Sequence, residues 1–310
     1  MSNYAVQARA LTRNFGDTVA VNALTFDVGA GELFGIVGPD GAGKTTLLRM
    51  LAGVLPPTSG DAEVLGNAIA RDPERVKHDI AYMAQRFGLY EDLTVRENIM
   101  FYADLYRVPK QDRPARLARL YGFSRLGEFE HRLAGKLSGG MKQKLSLCCA
   151  LIHHPRVLLL DEPTFGVDPI SRRDLWLILH EMVAQGITVI VTTSYLDEAE
   201  RCDRVGMLHE GRLLALAPPS ELQRSLAGAM FAVRADVPRQ ARAAALGLAG
   251  VSAATLFGET LHVLAGEGAD PEWLRSALHA HGIGIRELER IDPSLEDVFI
   301  NLVGTDDRAG

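Results

Sequence analysis

The sequence predicts an α/β fold whose main domain is built around a parallel sheet. Short, uninterrupted apolar runs at residues 33–37 and 157–160 are typical of strands that are buried on both faces. Segments with helical periodicity lie between such runs, and this alternation is typical of a parallel sheet covered by helices. The first run ends in a glycine-rich turn that leads into a predicted helix at residues 45–52.

The glycine-rich turn matches the pattern G-x-x-x-x-G-K-[ST]. Its glycines allow backbone N–H groups to surround an anion at a helix N-terminus, where the helix dipole favours negative charge. Lys44 can reach the β and γ oxygens of a nucleotide, and the Thr45 hydroxyl suits Mg²⁺, which prefers a few protein oxygens together with phosphate oxygens. An ordinary glycine-rich turn would leave the Lys–Thr pair unexplained. The predicted nucleotide-binding residues are Gly38, Pro39, Asp40, Gly41, Ala42, Gly43, Lys44, Thr45 and Thr46.

Residues 4–34, before the turn, alternate between apolar and polar side chains, and they predict antiparallel strands beside the phosphate-loop strand. After the first helix, residues 62–65 and 80–85 are strand candidates. Thr94 then forms a predicted N-cap with Glu97 three residues later. From there the pattern is helical to about residue 149, with breaks at Pro109, Pro114 and Gly135. These features predict a helical lobe over about residues 86–150.

Strand character returns at residues 157–160, 187–192 and 205–208. Helices are predicted between these strands, at residues 171–185 and 195–202. The alternation again indicates a parallel sheet whose faces are covered.

The pair Pro218–Pro219 marks a predicted domain boundary. The strands predicted after it lie at residues 229–234, 253–257, 261–265 and 283–288, and the helices at 238–248 and 270–281. We therefore expect a first domain at residues 1–218 and a small accessory α+β domain at residues 219–310.

The composition limits the kind of partner that this chain can have. A formal net charge of −6 over 310 residues argues against a protein that mainly binds nucleic acid. The three cysteines, Cys148, Cys149 and Cys202, have no metal-ligand spacing and are expected to be reduced core residues. No signal-peptide pattern and no run of about 18 to 20 apolar residues is present, so we expect a cytoplasmic chain that does not cross a membrane alone.

Two carboxylates, Asp161 and Glu162, follow the apolar run at residues 157–160. They fall at the C-terminal end of a predicted parallel strand, which is where open α/β sheets bind ligands. Asp161 is suited to orienting Mg²⁺ or its water, and Glu162 to polarising the water that attacks a γ-phosphate. The alternative is a solvated acidic turn, which does not account for the phosphate loop elsewhere in the chain.

A second predicted anion site precedes another helix at Ser138, Gly139 and Gly140. Taken alone, these residues are more typical of a serine N-cap followed by flexible glycines. A chain with one phosphate loop has little use for two such sites. Together with the other motifs, however, they resemble the LSGG signature of the nucleotide-binding domains of ATP-binding cassette (ABC) transporters.

The resemblance to ABC domains covers roughly residues 4–215. It implies a P-loop NTPase core with an antiparallel β subdomain and a helical subdomain, and it implies that ATP and Mg²⁺ are the cofactors. Phe15 is similar to the aromatic residue that stacks on adenine, although a core phenylalanine is the alternative. Gln85 is similar to the glutamine that senses Mg²⁺ and the γ-phosphate.

The resemblance also implies a second ATPase subunit. In the family, the signature, which here corresponds to Ser138–Gln143, acts across a head-to-tail dimer on ATP bound to the other subunit, and Asp168 corresponds to a residue at the dimer seam. One position departs from the pattern, because Ser194 stands where the family usually has a histidine. The departure implies slow hydrolysis at one site and favours an unlike ATPase partner over a homodimer.

The stretch Asp292–Phe299 is similar to the tail of ATPase subunits of bacterial ABC-2-type exporters, which handle drugs, polysaccharides or lipids. This implies a multi-span membrane permease as partner and a peripheral location on the inner face of the cell membrane. Residues 86–93 are expected to form a groove for a permease helix, or else to pack on their own lobe. The other functions considered are an ABC importer ATPase, an ATP-gated regulatory module and a soluble ABC protein of translation or DNA repair.

Overall fold

A computed structural model describes residues 4–85 and 88–306. The chain forms two compact units, which divide between Leu216 and Ala217. Both units combine sheets with helices, so the α/β prediction is confirmed. No helix in the described residues is long and apolar enough to span a bilayer.

The first unit contains the strands β1 (Tyr4–Phe15), β2 (Thr18–Gly29), β3 (Leu33–Val37), β4 (Ser59–Val64), β5 (Asn67–Ala68), β6 (Ile80–Met83), β7 (Val157–Asp161), β8 (Thr188–Thr193), β9 (Arg204–His209) and β10 (Arg212–Ala217). Its helices are α1 (Lys44–Leu51), α2 (Pro73–Val76), α3 (Val95–Leu105), α4 (Arg113–Ser124), α5 (Gly139–Leu151), α6 (Pro169–Ala184) and α7 (Leu196–Ala199). The helix predicted at residues 195–202 is therefore shorter than expected.

A six-stranded sheet in the order β10-β9-β3-β8-β7-β6 is the centre of the first unit. β3 pairs in parallel with β8 and β9, and β7 pairs in parallel with β6 and β8. Every residue of β3, β7 and β8 is buried, as the uninterrupted apolar runs predict. Because the strands are parallel, the C-terminal ends of β3, β7 and β8 lie at one edge of the sheet.

The antiparallel strands form a second sheet, in the order β2-β1-β4-β5. The prediction that they lie beside the phosphate-loop strand was wrong in one respect, because both neighbours of β3 belong to the parallel sheet. The two sheets share one apolar core, in which Val6 and Leu24 of the antiparallel strands are buried together with Phe34 and Ile36 of β3. The second sheet therefore packs as a separate layer against the same core.

The helical lobe consists of α3, α4 and the first part of α5, joined by short 3₁₀ turns. Thr94 caps α3 in a reciprocal capping box with Glu97, as the sequence predicts. Cys148 and Cys149 on α5 are buried, and so is Cys202. Burial raises the pKa of all three thiols, that of Cys148 to about 12, so the prediction of reduced core residues agrees with the structure.

The second unit is an α+β fold built on a sheet in the order β12-β13-β11-β14. Its strands are β11 (Ala229–Ala235), β12 (Val251–Phe257), β13 (Thr260–Ala265) and β14 (Ile285–Ile291). Its helices are α8 (Pro219–Arg224), α9 (Pro238–Leu246), α10 (Pro271–Ala280) and α11 (Leu295–Asp306). Helices α8 and α11 are additional to the elements predicted from the sequence.

Candidate functional site

The turn between β3 and α1 can be formed only by glycine at several positions. Gly41 and Gly43 have φ angles of +82° and +103°, in the left-handed region that other residues rarely adopt. A Cβ atom on Gly43 would lie 2.3 Å from the carbonyl oxygen of Ala20, and one on Gly38 would lie 2.0 Å from that of Leu208. The backbone can therefore curl tightly at the start of α1, where unpaired N–H groups favour an anion.

An open pocket of about 280 Å³ lies at this turn. Its lining residues are Ala20, Asp40, Gly41, Ala42, Gly43, Lys44, Thr45, Thr46, Gln85 and Glu162. The structure thus brings the phosphate loop together with Gln85, which follows β6, and Glu162, which follows β7. Gly38 and Pro39 contribute differently, since their carbonyl oxygens accept hydrogen bonds from Lys44 at 2.7 and 3.0 Å.

Lys44 lies at the centre of a compact polar cluster. Its Nζ lies 3.0 Å from Oε1 of Glu162 and 2.8 Å from Oγ of Ser194. The side chains of Lys44 and Glu162 are only 4% and 8% exposed. Ser194 Oγ also lies 2.9 Å from Oε1 of Glu162 and 3.3 Å from Oδ1 of Asp40. Ser194, the residue that departs from the family pattern, therefore contacts both Lys44 and Glu162.

Asp161 lies beside hydroxyl groups from three elements. Thr45 and Thr192 donate hydrogen bonds to its Oδ1 at 3.0 and 2.9 Å, and the Tyr82 hydroxyl donates to Oδ2 at 3.4 Å. Burial and the nearby charge of Asp161 raise the pKa of Tyr82, so its hydroxyl stays protonated at neutral pH. A carboxylate and a threonine hydroxyl at hydrogen-bonding distance are a donor set that suits Mg²⁺.

The described residues contain no cluster of three or more His, Cys, Asp or Glu side chains that could hold a metal. A cation at Thr45 and Asp161 would thus need further oxygen ligands from phosphate or water. Mg²⁺ commonly binds to proteins in this way.

Glu162 has a fixed backbone conformation. Its φ angle is +47°, which is unusual for a residue with a side chain, and its N–H donates to the carbonyl oxygen and the hydroxyl of Thr192 at 3.1 and 3.0 Å. Gln85 Nε2 donates to Oε2 at 3.4 Å. The turn after β7 thereby aims the carboxylate into the pocket.

The signature residues do not line this pocket. Ser138 is the N-cap of α5, and its Oγ accepts a hydrogen bond from the N–H of Met141 at 3.3 Å. A Cβ atom on Gly140 would lie 2.2 Å from Oγ of Ser171, so α5 and α6 meet closely here. The Gln143 side-chain oxygen is buried without a hydrogen-bond partner. The structure therefore does not bring Ser138, Gly139, Gly140 and Gln143 to the chain's own phosphate loop.

Asp168 is the N-cap of α6, and its Oδ1 accepts a hydrogen bond from the N–H of Ser171 at 2.9 Å. That hydrogen bond holds the pKa of Asp168 below its usual range. The apolar side chains of Phe165 and Ile170, on either side of Asp168, are exposed, Ile170 to 77%. An apolar exposed segment of this kind is typical of a contact surface.

Phe15 ends β1 and is 48% exposed, with the guanidinium of Arg13 4.7 Å from its ring centre. The alternative in which Phe15 is a core residue was therefore wrong.

Residues 88–93 pack on α3, because Asn98 hydrogen-bonds to the N–H and carbonyl of Tyr90, whose ring lies 4.6 Å from that of Phe101. Arg86 and Phe87, also part of the predicted groove, lie outside the described residues.

Comparisons with known proteins agree with this geometry. Residues 21–165 match a family model described as "ABC transporter". The chain is 38% identical to the Nod factor export ATP-binding protein I of Rhizobium sp. (strain N33), over 98% of both sequences. The chain belongs to the ABC transporter family. The resemblance on which the sequence analysis relied is thereby confirmed.

A second relative of this ABC chain is longer. The chain is 44% identical to the probable multidrug ABC transporter ATP-binding protein YbhF of Escherichia coli (strain K12), over 98% of the chain but only 53% of the relative. It thus spans about half the length of that protein. Residues 218–303 match a model described as "ATP-binding protein DrrA1-3-like, C-terminal domain".

Solved structures of ABC proteins share the fold. An ATP-binding subunit of an ABC transporter, 30% identical, has a TM-score of 0.65 and covers 71% of this chain and 92% of its own. CbiO1 from Clostridium perfringens, 26% identical, has a TM-score of 0.66 and covers 73% and 95%. Both agree with the predicted P-loop NTPase core.

Proposed function

We propose that this ABC chain is the ATP-binding and ATP-hydrolysing subunit of an ABC-2-type exporter. The observation that carries the proposal is the pocket in which the phosphate loop meets Gln85 and Glu162, with Asp161 hydrogen-bonded to Thr45 of that loop. Export is supported by the names of the two relatives, one a probable multidrug protein and the other a Nod factor export protein. Drugs or other amphiphilic molecules are the proposed substrates.

We assign a separate role in phosphoryl transfer to each group of residues at the site. The loop N–H groups and Lys44 bind the phosphates of ATP, and Phe15 stacks on adenine. Thr45 and Asp161 would hold Mg²⁺ with Gln85 nearby, and the ion would neutralise charge on the phosphates. Glu162 accepts a hydrogen bond from the attacking water, and Ser194 takes the place at the γ-phosphate that a histidine has elsewhere in the family.

A second ABC ATPase is the proposed partner. Ser138, Gly139, Gly140 and Gln143 do not line the chain's own pocket, and a helix N-terminus capped by Ser138 is suited to phosphate from another subunit. The exposed side chains of Phe165 and Ile170 around Asp168 support a seam at that position. We favour an unlike partner because Ser194 would slow both sites of a homodimer.

A multi-span permease is the other proposed partner, and it would hold the chain on the inner face of the cell membrane.

The division of the chain at Leu216, with a C-terminal family match from residue 218, supports a cassette at residues 1–218 and an accessory domain at residues 219–310.

A regulatory module that closes on ATP with little turnover is the second candidate function. Ser194 is the observation that favours it, because the usual histidine is absent. Glu162 argues against it, since a binding module has no need of a carboxylate aimed into the pocket.

ATPase assays on the purified chain with Mg-ATP separate the two functions. We expect measurable phosphate release, loss of nucleotide binding in Lys44→Ala, and retained binding with little hydrolysis in Glu162→Gln. Binding without any hydrolysis in the chain or in its assembled transporter would favour the regulatory module instead.

A further inference from the structure

A second buried cluster is centred on Glu198 of α7, which is 2% exposed. Oε2 of Glu198 accepts hydrogen bonds from the hydroxyls of Thr164 at 2.7 Å and Thr193 at 3.0 Å. Arg172 Nε of α6 forms an ion pair with Oε1 at 3.2 Å. Burial of an unpaired carboxylate costs free energy. The two hydrogen bonds and the ion pair offset this cost for Glu198, and they connect its three partners through one side chain.

One arm of the cluster fixes the segment that carries Glu162. Thr164 lies two residues after Glu162, and its hydroxyl donates a hydrogen bond to Glu198. On the other side, the N–H of Glu162 is held by Thr192. The strained turn at Glu162 is therefore anchored at both ends, and the anchor at Thr164 depends on Glu198.

The other arm fixes Ser194. The Thr193 hydroxyl donates to Glu198 and accepts a hydrogen bond from the N–H of Tyr195 at 3.0 Å, which closes a turn with Ser194 in the middle. The guanidinium of Arg172 lies 4.4 Å from the centre of the Tyr195 ring. Arg172 belongs to the helix that begins at Asp168, so the cluster joins the predicted dimer seam to the turn that carries Ser194.

We infer that Glu198 is a positioning residue that sets Glu162 and Ser194 relative to each other for ATP hydrolysis, an inference that rests on the proposed function. Glu198 does not line the pocket, so it acts through the two turns. Misplacement of a reacting group by about 1 Å can cost about 100-fold in rate. The hydrogen bonds and the ion pair of Glu198 go to Thr164, Thr193 and Arg172 and not to the phosphate loop, so we expect a larger effect on hydrolysis than on nucleotide binding.

The test compares Thr164→Val with Thr164→Ser, and adds Glu198→Gln. Valine keeps the shape of threonine but removes the hydroxyl, whereas serine keeps the hydroxyl. We expect kcat for ATP hydrolysis to fall about tenfold or more in Thr164→Val and Glu198→Gln, with KM changed by less than about twofold. Thr164→Ser should retain most of the kcat.

Glu32→Gln is the matched control, because Glu32 is another largely buried carboxylate paired with an arginine, Arg204, but lies just before β3, at the opposite end of the strand from the phosphate loop. It should leave kcat unchanged. Wild-type kcat in Thr164→Val and Glu198→Gln, or equal losses in Thr164→Val and Thr164→Ser, would overturn the inference. Failure of the proposed function would give a different result. The unmodified chain and its assembled transporter would then show no ATP hydrolysis above the level of the Glu162→Gln variant.

Discussion

The ammonium group of Lys44 lies 3.0 Å from a carboxylate oxygen of Glu162, and both side chains are more than nine-tenths buried. Each charge is thus offset by the other. If Lys44 binds the phosphate oxygens of ATP, as we propose, nucleotide binding exchanges the carboxylate for phosphate at this nitrogen. Glu162 would then be free to face the attacking water.

Glu162→Gln should slow hydrolysis by at least about 100-fold, because a general base is lost, while Mg-ATP affinity stays the same or rises. Affinity is not reduced because a neutral amide competes less strongly for Lys44. Calorimetry and phosphate-release assays measure the two effects, and size-exclusion chromatography should show a longer-lived dimer with Mg-ATP. A variant that stays monomeric at high ATP and protein concentrations, with or without the permease, would contradict the head-to-tail dimer.

Ser194→His should raise the ATPase turnover of the isolated chain. A hydrogen bond to a charged group is worth about 1.5 to 3 kcal/mol, which corresponds to about a 10- to 150-fold change in rate if it acts only in the transition state. Ser194→Ala is the matched variant and should not raise turnover, because alanine has no group that can hydrogen-bond to the γ-phosphate. If histidine brings no gain and alanine abolishes turnover, the contacts of Ser194 with Lys44 and Glu162 already do the work of the histidine.

The unlike-partner proposal predicts different effects for two variants of this chain in the assembled transporter. Lys44→Ala disables the slow site that contains Ser194, whereas Ser138→Arg disables the site on a histidine-bearing partner. We expect Ser138→Arg to reduce ATPase activity more than Lys44→Ala does. Equal losses would point to two equivalent sites, as in a homodimer.

Charge substitution at Leu89 or Tyr90 should uncouple transport from ATP hydrolysis. Tyr90 is exposed although its ring packs on Phe101, so one side remains available to a permease helix. Transport into vesicles should fall while nucleotide affinity is unchanged. Leu246→Asp, a charge substitution at an equally exposed residue of α9, is the control and should transport normally. Full transport by both Leu89→Asp and Tyr90→Asp would leave residues 88–93 with only their packing role on α3.

The C-terminal unit should lose stability in acid through Asp297. Burial raises the pKa of this carboxyl, but hydrogen bonds from His262 and from the hydroxyl and N–H of Ser294 outweigh it, so its pKa lies below the usual range. A carboxyl whose pKa is lowered by folding contributes stability above about pH 4 that is lost as the pH falls below it. We expect Asp297→Asn to lower unfolding free energy by about 1 to 3 kcal/mol at pH 7 and to flatten the acid side of the profile of Tm against pH. An unchanged profile would show that the carboxylate contributes nothing to stability.

The phosphate loop and the acidic pair could be predicted because each is a local pattern tied to a strand end. The sequence predicts that Thr45 and Asp161 serve one ion, and the structure places their side chains 3.0 Å apart. The need for glycine at positions 41 and 43 could also be predicted, because the backbone there has φ angles that only glycine adopts easily.

The cluster around Glu198 could not be predicted in the same way. Its partners Thr164, Thr193 and Arg172 are spread over three segments, and they meet only because β7 and β8 pair in register and α6 packs beside them. Helix α11, in contrast, lies outside the predicted elements although it begins with a local sequence signal. Its first turn has a clear local signal, in which Ser294 and Asp297 exchange hydrogen bonds.

The burial of Cys148, Cys149 and Cys202 makes the native chain a convenient background for site-directed labelling. Maleimide reagents attack thiolates, and these three side chains are inaccessible and hard to deprotonate at neutral pH. A cysteine introduced at the exposed position of Ile170 would therefore be the dominant reactive thiol. A fluorophore attached there could report closure of the proposed ATPase dimer in real time without prior removal of any native cysteine.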